Sequence, residues 1–292
     1  MKEYIKLMRP KHYLKNLLVF MPLIFSGQLK EKEKIIICII GFISFSILSS
    51  AIYIINDLRD VEKDKLHPIK KNRPIASGKV SKNNAIMFMI TLLIISIGLT
   101  LSLNTYKISN IEFAIFIEFA YVLFNILYSF GLKNIPIIDV VILVLGFVFR
   151  LLYGAIIANI VISNWLYLTI MAGAFYMGFG KRRNETIKQG SNSREVLKKY
   201  NREFLDKFMY VCLELSVVFY SLWCIDAETI TRIGNNYMIF SIPLLLIILM
   251  KYSLDIEGDS FGDPVDVIVN DKVLMALVGL LGIIMFFILY IV

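Results

Sequence analysis

The side chains best suited to chemistry lie in one short run, Asn56-Asp57-Leu58-Arg59-Asp60-Val61-Glu62-Lys63-Asp64. Asp57, Asp60 and Asp64 stand at i, i+3 and i+7. Asn56, Asp60 and Asp64 follow the neighbouring i, i+4, i+8 row, so a helix puts all four on one face. Three carboxylates on one face repel one another unless a cation sits between them. Hard oxygen ligands suit Mg²⁺, which keeps waters and is completed by substrate phosphates. Bases follow at once, in His67-Pro68-Ile69-Lys70-Lys71-Asn72-Arg73-Pro74-Ile75-Ala76-Ser77-Gly78. Acids and then bases in one loop point to a metal-bound diphosphate. A merely solvated helix end is the plainer alternative, but this run abuts a long apolar segment.

Other polar residues sit where they are expensive. Arg150 lies inside an apolar stretch, where an arginine costs at least ~2.5–3.5 kcal/mol, so it must face a partner or a polar cavity. Asp139 comes eleven residues earlier, about three helical turns, on nearly the same face. Both could line a site, or Arg150 could pair with Glu118 or Glu214. Asn125, Ser129 and Lys133 recur every four residues and form an inward polar stripe that ends in a phosphate-binding lysine. A second polar loop opens Gly180-Lys181-Arg182-Arg183-Asn184-Glu185-Thr186, where bases welcome a phosphate. His12 and His67 are the two histidines; His67 reads as a hydrogen-bond donor or a loop-packing residue. Asp263, Asp266 and Asp271 read as braces of a short loop before the last helix.

These residues need elements to hold them, and composition names the kind. Of 292 residues 58% are hydrophobic and 18% charged; mean hydropathy is +0.71. One soluble core of this size could not hide so much apolar surface, and disorder needs the opposite composition. The three cysteines all lie in apolar runs and read as small core residues. Nine apolar stretches are long enough to span a bilayer as helices: 14–29, 35–55, 83–103, 111–131, 135–158, 162–179, 208–226, 236–252 and 273–292. They are continuously apolar, unlike barrel strands. The first is read as a retained span, because Phe25-Ser26-Gly27-Gln28-Leu29-Lys30 makes a poor cleavage site. The expectation is an all-α integral membrane protein: one domain over 1–292, with catalytic loops at 56–82 and 180–207.

The net charge of +8 has two explanations. The N-terminal segment, the two long loops, Lys133, Lys251 and Lys272 hold 25 of the 31 basic residues. That asymmetry puts the N-terminus and both loops in the cytoplasm and the C-terminus outside. The bases beside the aspartates serve anions, and nucleic acid is not needed to explain the charge.

The string N-D-x-x-D-x-x-x-D followed by H-P-x-K-x-x-R-P-I-A-S-G resembles the first aspartate-rich motif of the UbiA prenyltransferase superfamily. That resemblance implies a bundle of nine transmembrane helices with Asn56, Asp57, Asp60 and Asp64 holding Mg²⁺ and a diphosphate. Members of the superfamily usually carry a second aspartate-rich motif in the second loop. Here bases replace those aspartates and only Glu185 is acidic. This departure, with Arg9-Pro10-Lys11-His12-Tyr13-Leu14-Lys15-Asn16, Tyr128-Ser129, Asp139-Val140, Gly146 to Arg150, Gly180-Lys181-Arg182 and Asp263-Pro264, resembles the decaprenyl-phosphate phosphoribosyltransferase branch.

The resemblance implies a donor, phosphoribosyl pyrophosphate, and an acceptor, a polyprenyl phosphate. It also implies substrate contacts from Lys15, Asn16, Asn56, His67, Lys70, Arg73, Tyr128, Lys133, Asp139, Arg150, Lys181, Arg182 and Glu185. Such a site binds three anionic groups and needs acids, through the metal, as well as many bases. Assembly into a homo-oligomer is compatible with the sequence, though no interface motif announces it. Two other readings stay open: a transferase using a prenyl diphosphate on an aromatic acceptor, and a transporter whose acids and Arg150 line a path.

Overall fold

The computed structural model describes residues 1–67, 69–189, 194–258 and 264–292. Among these residues every regular element is a helix: α1 (Lys2–Met8), α2 (Met21–Phe25), α3 (Lys32–Arg59), α4 (Val61–Leu66), α5 (Lys82–Ser102), α6 (Ile111–Phe130), α7 (Ile138–Ile157), α8 (Asn164–Gln189), α9 (Arg202–Ile225), α10 (Ala227–Ile233), α11 (Ile242–Glu257), α12 (Pro264–Asn270) and α13 (Lys272–Tyr290). Short 3₁₀ turns link several of them. Side-chain caps start four of the helices. Ser81, Asn201, Asp226 and Asp271 each accept a backbone N–H that the first turn of α5, α9, α10 and α13 leaves unsatisfied.

Seven described stretches are long and apolar enough to cross a membrane: Lys32–Arg59, Lys82–Tyr106, Ile111–Phe130, Ile138–Ile157, Arg202–Ile225, Tyr237–Glu257 and Lys272–Tyr290. The expected spans at 14–29 and 162–179 are not among them. The first is divided between a 3₁₀ segment, Pro10–Phe20, and the short α2. The second is part of α8, a 26-residue helix whose glycines, tyrosines and basic last turns dilute its apolar character.

The chain forms two compact units. Unit 1 comprises 1–24, 29–132 and 149–161; unit 2 comprises 25–28, 133–148 and 162–292. Helix α7 contributes its first half to unit 2 and its second half to unit 1.

In unit 1, α3 is the axis. One face of its C-terminal half packs Ala51 and Ile54 against Leu7, Val61, Ile75, Val80, Ala85 and Leu92. Its other end packs Cys38 against Leu23, Ala158 and Ile160. Gly154 allows a close approach of main chains, since a Cβ there would lie 2.1 Å from the Val19 carbonyl oxygen. In unit 2, α8 and α9 pack along each other. Leu166, Tyr220, Trp223, Cys224 and Met238 form a core with Met285 and Ile288 of α13, and the Phe25 ring meets the Trp223 ring edge-on at 5.2 Å.

Candidate functional site

Asp57 occupies the last turn of α3, and Asp60 terminates that helix with φ −97° and ψ 11°. The break is slight. The Asp60 N–H still bonds the Asn56 carbonyl at 3.0 Å, and the Asp64 N–H bonds the Asp60 carbonyl at 2.8 Å. The helical row of acids therefore passes through the junction into α4. Asp57 and Asp64 are almost fully buried, at 3% and 4% exposure, while Asp60 stays partly exposed.

The cation between the buried acids is an arginine. One nitrogen of Arg73, Nη1, donates to Asp57 Oδ1 at 3.0 Å and to Asp64 Oδ2 at 2.7 Å. Arg9 also donates to Asp57 Oδ1. It does so from a left-handed backbone conformation, φ 53° and ψ 60°, at the junction between α1 and the 3₁₀ segment. Its guanidinium lies 5.0 Å from the centre of the Tyr53 ring. Burial pulls the Arg9 pKa below its ordinary value, and the Asp57 charge is the largest influence opposing this.

Asn56 Oδ1 accepts the Ser129 hydroxyl, so the polar stripe of α6 does reach the acidic motif. Of the two roles open to His67, donor or loop-packing residue, the structure shows a loop role: its Nδ1 accepts the N–H groups of Ile69 and Lys70 at 3.2 and 3.3 Å, ordering the turn that leads to Arg73.

Do these residues suit a divalent cation? Among the described residues, no three His, Cys, Asp or Glu side chains are grouped tightly enough to form a ready metal cage. Two buried carboxylates nevertheless converge on one cationic nitrogen, within 3.0 Å of it. The donor set, Asn56, Asp57, Asp60 and Asp64, consists of hard oxygens. That fits Mg²⁺, which takes one or two protein carboxylates and completes its shell with water and phosphate.

Deeper in unit 1, Arg150 is 5% exposed. It donates to Asn16 Oδ1 at 2.6 Å, Tyr121 Oη at 3.1 Å and Ser49 Oγ at 3.3 Å. The rings of Phe45 and Tyr121 lie 5.2 and 5.0 Å from its guanidinium. Of the alternatives open to Arg150, the pairing with Glu118 is not formed. Glu118 Oε1 accepts hydroxyls of Ser44, Ser96 and Thr100 at 2.9, 3.2 and 2.7 Å, so hydroxyls of α3 and α5 surround this oxygen in place of a cation. Asn16 and Arg150, 134 residues apart, are brought together.

In unit 2 the polarity is reversed. Arg182 is fully buried between two acids, with Nε 2.5 Å from Asp139 Oδ2 and Nη1 2.7 Å from Glu185 Oε2. Tyr200 donates to Asp139 Oδ1 at 2.6 Å. Arg194 Nη2 lies 3.7 Å from Glu185 Oε1. Burial would raise the Glu185 pKa, but Arg182, Arg194 and Lys181 together carry it below the ordinary value. Burial, then the bond to Asp139, pushes the Tyr200 pKa up.

Lys15, Lys70, Tyr128, Lys133 and Lys181 are half-buried and keep part of their surface accessible. Asp271 caps α13 through the Leu274 N–H at 2.7 Å and pairs with Lys251 at 2.6 Å, as expected of a brace. Asp263 lies outside the described residues.

Sequence reasoning missed Arg9 and Tyr200 as members of these clusters. Arg9 had a signal, a base beside Pro10 at the edge of an apolar run. Tyr200 had none, being 61 residues from Asp139.

Residues 18–259 match the UbiA prenyltransferase family. The chain is 33% identical, over 94% of its length and 82% of the relative's, to decaprenyl-phosphate phosphoribosyltransferase of Corynebacterium glutamicum. It is 29% identical, over 94% of its length and 89% of the relative's, to the protein of the same description from Mycobacterium tuberculosis. Among solved structures, a UbiA homolog from Archaeoglobus fulgidus bound to DMAPP and Mg²⁺ superposes with a TM-score of 0.72 at 18% identity, covering 99% of this chain and 100% of that one.

Proposed function

The chain belongs to the UbiA prenyltransferase family, and we propose that within it this multi-pass membrane protein transfers 5-phosphoribose from phosphoribosyl pyrophosphate to a polyprenyl phosphate. The near full-length similarity to decaprenyl-phosphate phosphoribosyltransferases supports this reading. So does the second loop, which carries Lys181, Arg182 and Arg183 where a prenyl-diphosphate enzyme of this family carries acids.

The single observation that carries the site is the convergence of Asp57 and Asp64 on one cationic position. Asn56, Asp57, Asp60 and Asp64 would hold Mg²⁺ against the donor diphosphate. Bound there, the metal supplies charge neutralisation for the departing pyrophosphate. The protein's own groups do the rest. Arg73 and Arg9 lie beside the acids and have the planar donors that grip phosphate oxygens. They let go of the carboxylates as the diphosphate arrives and turn to its oxygens.

Lys15, Lys70, Lys133 and Lys181, half-buried and basic, are assigned to phosphate groups, with Tyr128 and His67 supporting the same loops. Asn16 and Arg150 hold each other and shape the wall beneath. Asp139, Arg182 and Glu185 act one step back, by holding the basic loop in place. In the reaction the bond from the ribosyl C1 to the pyrophosphate oxygen breaks, and a bond from C1 to an oxygen of the lipid monophosphate forms. An ionised phosphate is already a nucleophile, so no general base is required. The products are polyprenyl-phosphoryl-5-phosphoribose and pyrophosphate.

We take the chain to cross the bilayer nine times, with 14–29 and 162–179 added to the seven stretches that are long and apolar enough to span it. The lysine and arginine asymmetry supports a cytoplasmic N-terminus and loops and an external C-terminus. The test is incubation of the purified protein with Mg²⁺, labelled phosphoribosyl pyrophosphate and polyprenyl phosphate, beside a second arm with prenyl diphosphate and 4-hydroxybenzoate. Label appearing in lipid in the first arm is the expected result. Product only in the second arm assigns the chain to the prenyl-transferring branch.

A further inference from the structure

Ile137 adopts φ 70°. A β-branched residue in the left-handed region is a genuine conformational outlier and is kept only where its surroundings enforce it. Its side chain is 48% exposed, so core packing does not repay the strain. Hydrogen bonds do. The Ile137 carbonyl accepts the N–H groups of Val140 and Val141 at 3.0 and 2.8 Å, starting α7. The Ile137 N–H donates to Tyr200 Oη at 2.6 Å. Tyr200 Oη in turn donates to Asp139 Oδ1 at 2.6 Å, and Asp139 holds the fully buried Arg182 with its other oxygen at 2.5 Å.

One phenol therefore joins three segments of unit 2: the strained turn, the first turn of α7 and, through Asp139, the basic end of α8. The 3₁₀ turn Leu132–Asn134 that carries Lys133 ends three residues before this strained residue. Arg182 is the neighbour of Lys181 and bonds Glu185, which draws Arg194 towards it. The phenol thus has Lys133 on one side of its chain of bonds and Lys181 and Arg194 on the other. Tyr200 is itself buried, and its hydroxyl proton and one lone pair are already engaged inside the protein, so its bonds serve structure.

We propose that Tyr200 is a positioning residue for phosphate recognition: by latching the strained Ile137 turn to Asp139, it fixes the basic side chains that take a substrate phosphate monoester. This rests on the proposed phosphoribosyl transfer. The phosphate is either the 5-phosphate of the donor or the monophosphate of the lipid.

The experiment compares wild type, Tyr200→Phe, Ile137→Gly and the double variant in steady-state transfer, varying each substrate in turn. Tyr200→Phe is expected to raise KM about tenfold for one phosphate substrate and to leave kcat within about twofold. The substrate whose KM moves identifies which phosphate is held. Glycine adopts φ > 0 freely, so Ile137→Gly alone should stay near wild type, and in the double variant most of the KM increase should vanish. A fall in kcat with both KM values unchanged, or a double variant no better than Tyr200→Phe, overturns the proposal.

Amide hydrogen exchange over 133–141 supplies a readout that needs no turnover. Exchange should accelerate in Tyr200→Phe, and unchanged exchange also overturns the proposal. If wild type transfers no phosphoribose, the functional reading fails, and the exchange result then decides the latch by itself.

Discussion

The acidic cluster of unit 1 and the basic cluster of unit 2 contain the same chemical parts in opposite arrangements. In unit 1 two buried carboxylates, Asp57 and Asp64, face arginines whose side chains keep 22% and 29% of their surface. In unit 2 a fully buried arginine faces carboxylates that are 0% and 7% exposed. An arginine that still touches solvent can leave its acid at modest cost, because water receives it. A buried arginine cannot, since leaving strands uncompensated charge in a medium that solvates it poorly. The first cluster is therefore built to exchange its cation, and the second to keep it. Under the proposed function, that difference separates a group that meets substrate from one that holds the loop which does.

The contrast can be broken at several points. The largest effect should come from Arg182→Met, which leaves Asp139 and Glu185 buried without their partner and costs about 3–5 kcal/mol of stability. Thermal unfolding in detergent measures this, and a shift near zero would mean that the buried arginine is dispensable. Next comes Asp57→Asn. It should cut turnover by about two orders of magnitude or more, the scale of losing one directly placed electrostatic group, while folded yield stays near wild type. Unchanged turnover would remove Asp57 from the metal set.

Arg73→Gln should cost about 1–3 kcal/mol, since Asp57 and Asp64 then face each other with less compensation. Added Mg²⁺ should restore most of that loss, whereas Arg182→Met should gain nothing from Mg²⁺. Equal rescue of both variants in melting curves would erase the distinction between the two clusters.

The smallest effect is a pH dependence. The Glu185 pKa is lowered from its ordinary value of 4.5 by the surrounding arginines and lysine, against the effect of burial. A depressed folded-state value means that its contribution is complete above the unfolded pKa and declines as pH falls through the folded one. The melting difference between wild type and Glu185→Gln should stay constant from pH 8 to about 5 and shrink below about 4.5. A difference that grew on acidification would reverse the assigned sign.

Much of this was legible from residue order. Long apolar runs announce membrane-spanning helices, and an i, i+3, i+7 row of aspartates announces an acidic face that needs a cation, because both depend on local spacing. The helical pair Asn125 and Ser129 was legible in the same way, and Ser129 does meet Asn56, but α6 ends at Phe130 and Lys133 lies beyond it in a 3₁₀ turn. Boundaries were less legible. The 14–29 run is apolar enough to suggest a span, yet it winds as a 3₁₀ segment followed by a short α-helix. For charges inside the spans, composition required a partner but could not name one. Arg150 was expected to face a partner or a polar cavity, an acid being one choice, and it holds Asn16, Tyr121 and Ser49, while hydroxyls take Glu118.

The sequence by itself determined the class of the molecule, the acid row and the excess of base in two polar loops, since each is a property of neighbours along the chain. Only the tertiary structure decided which bases neutralise which acids. Arg9 reaches Asp57 across 48 residues, and Arg182 reaches Asp139 across 43. Such pairings depend on how helices pack and on which side chain loses its water, and burial is a property of the folded whole. The motif basic residues Arg73 and Arg182 read alike in sequence as phosphate binders. Burial left one within reach of solvent and enclosed the other.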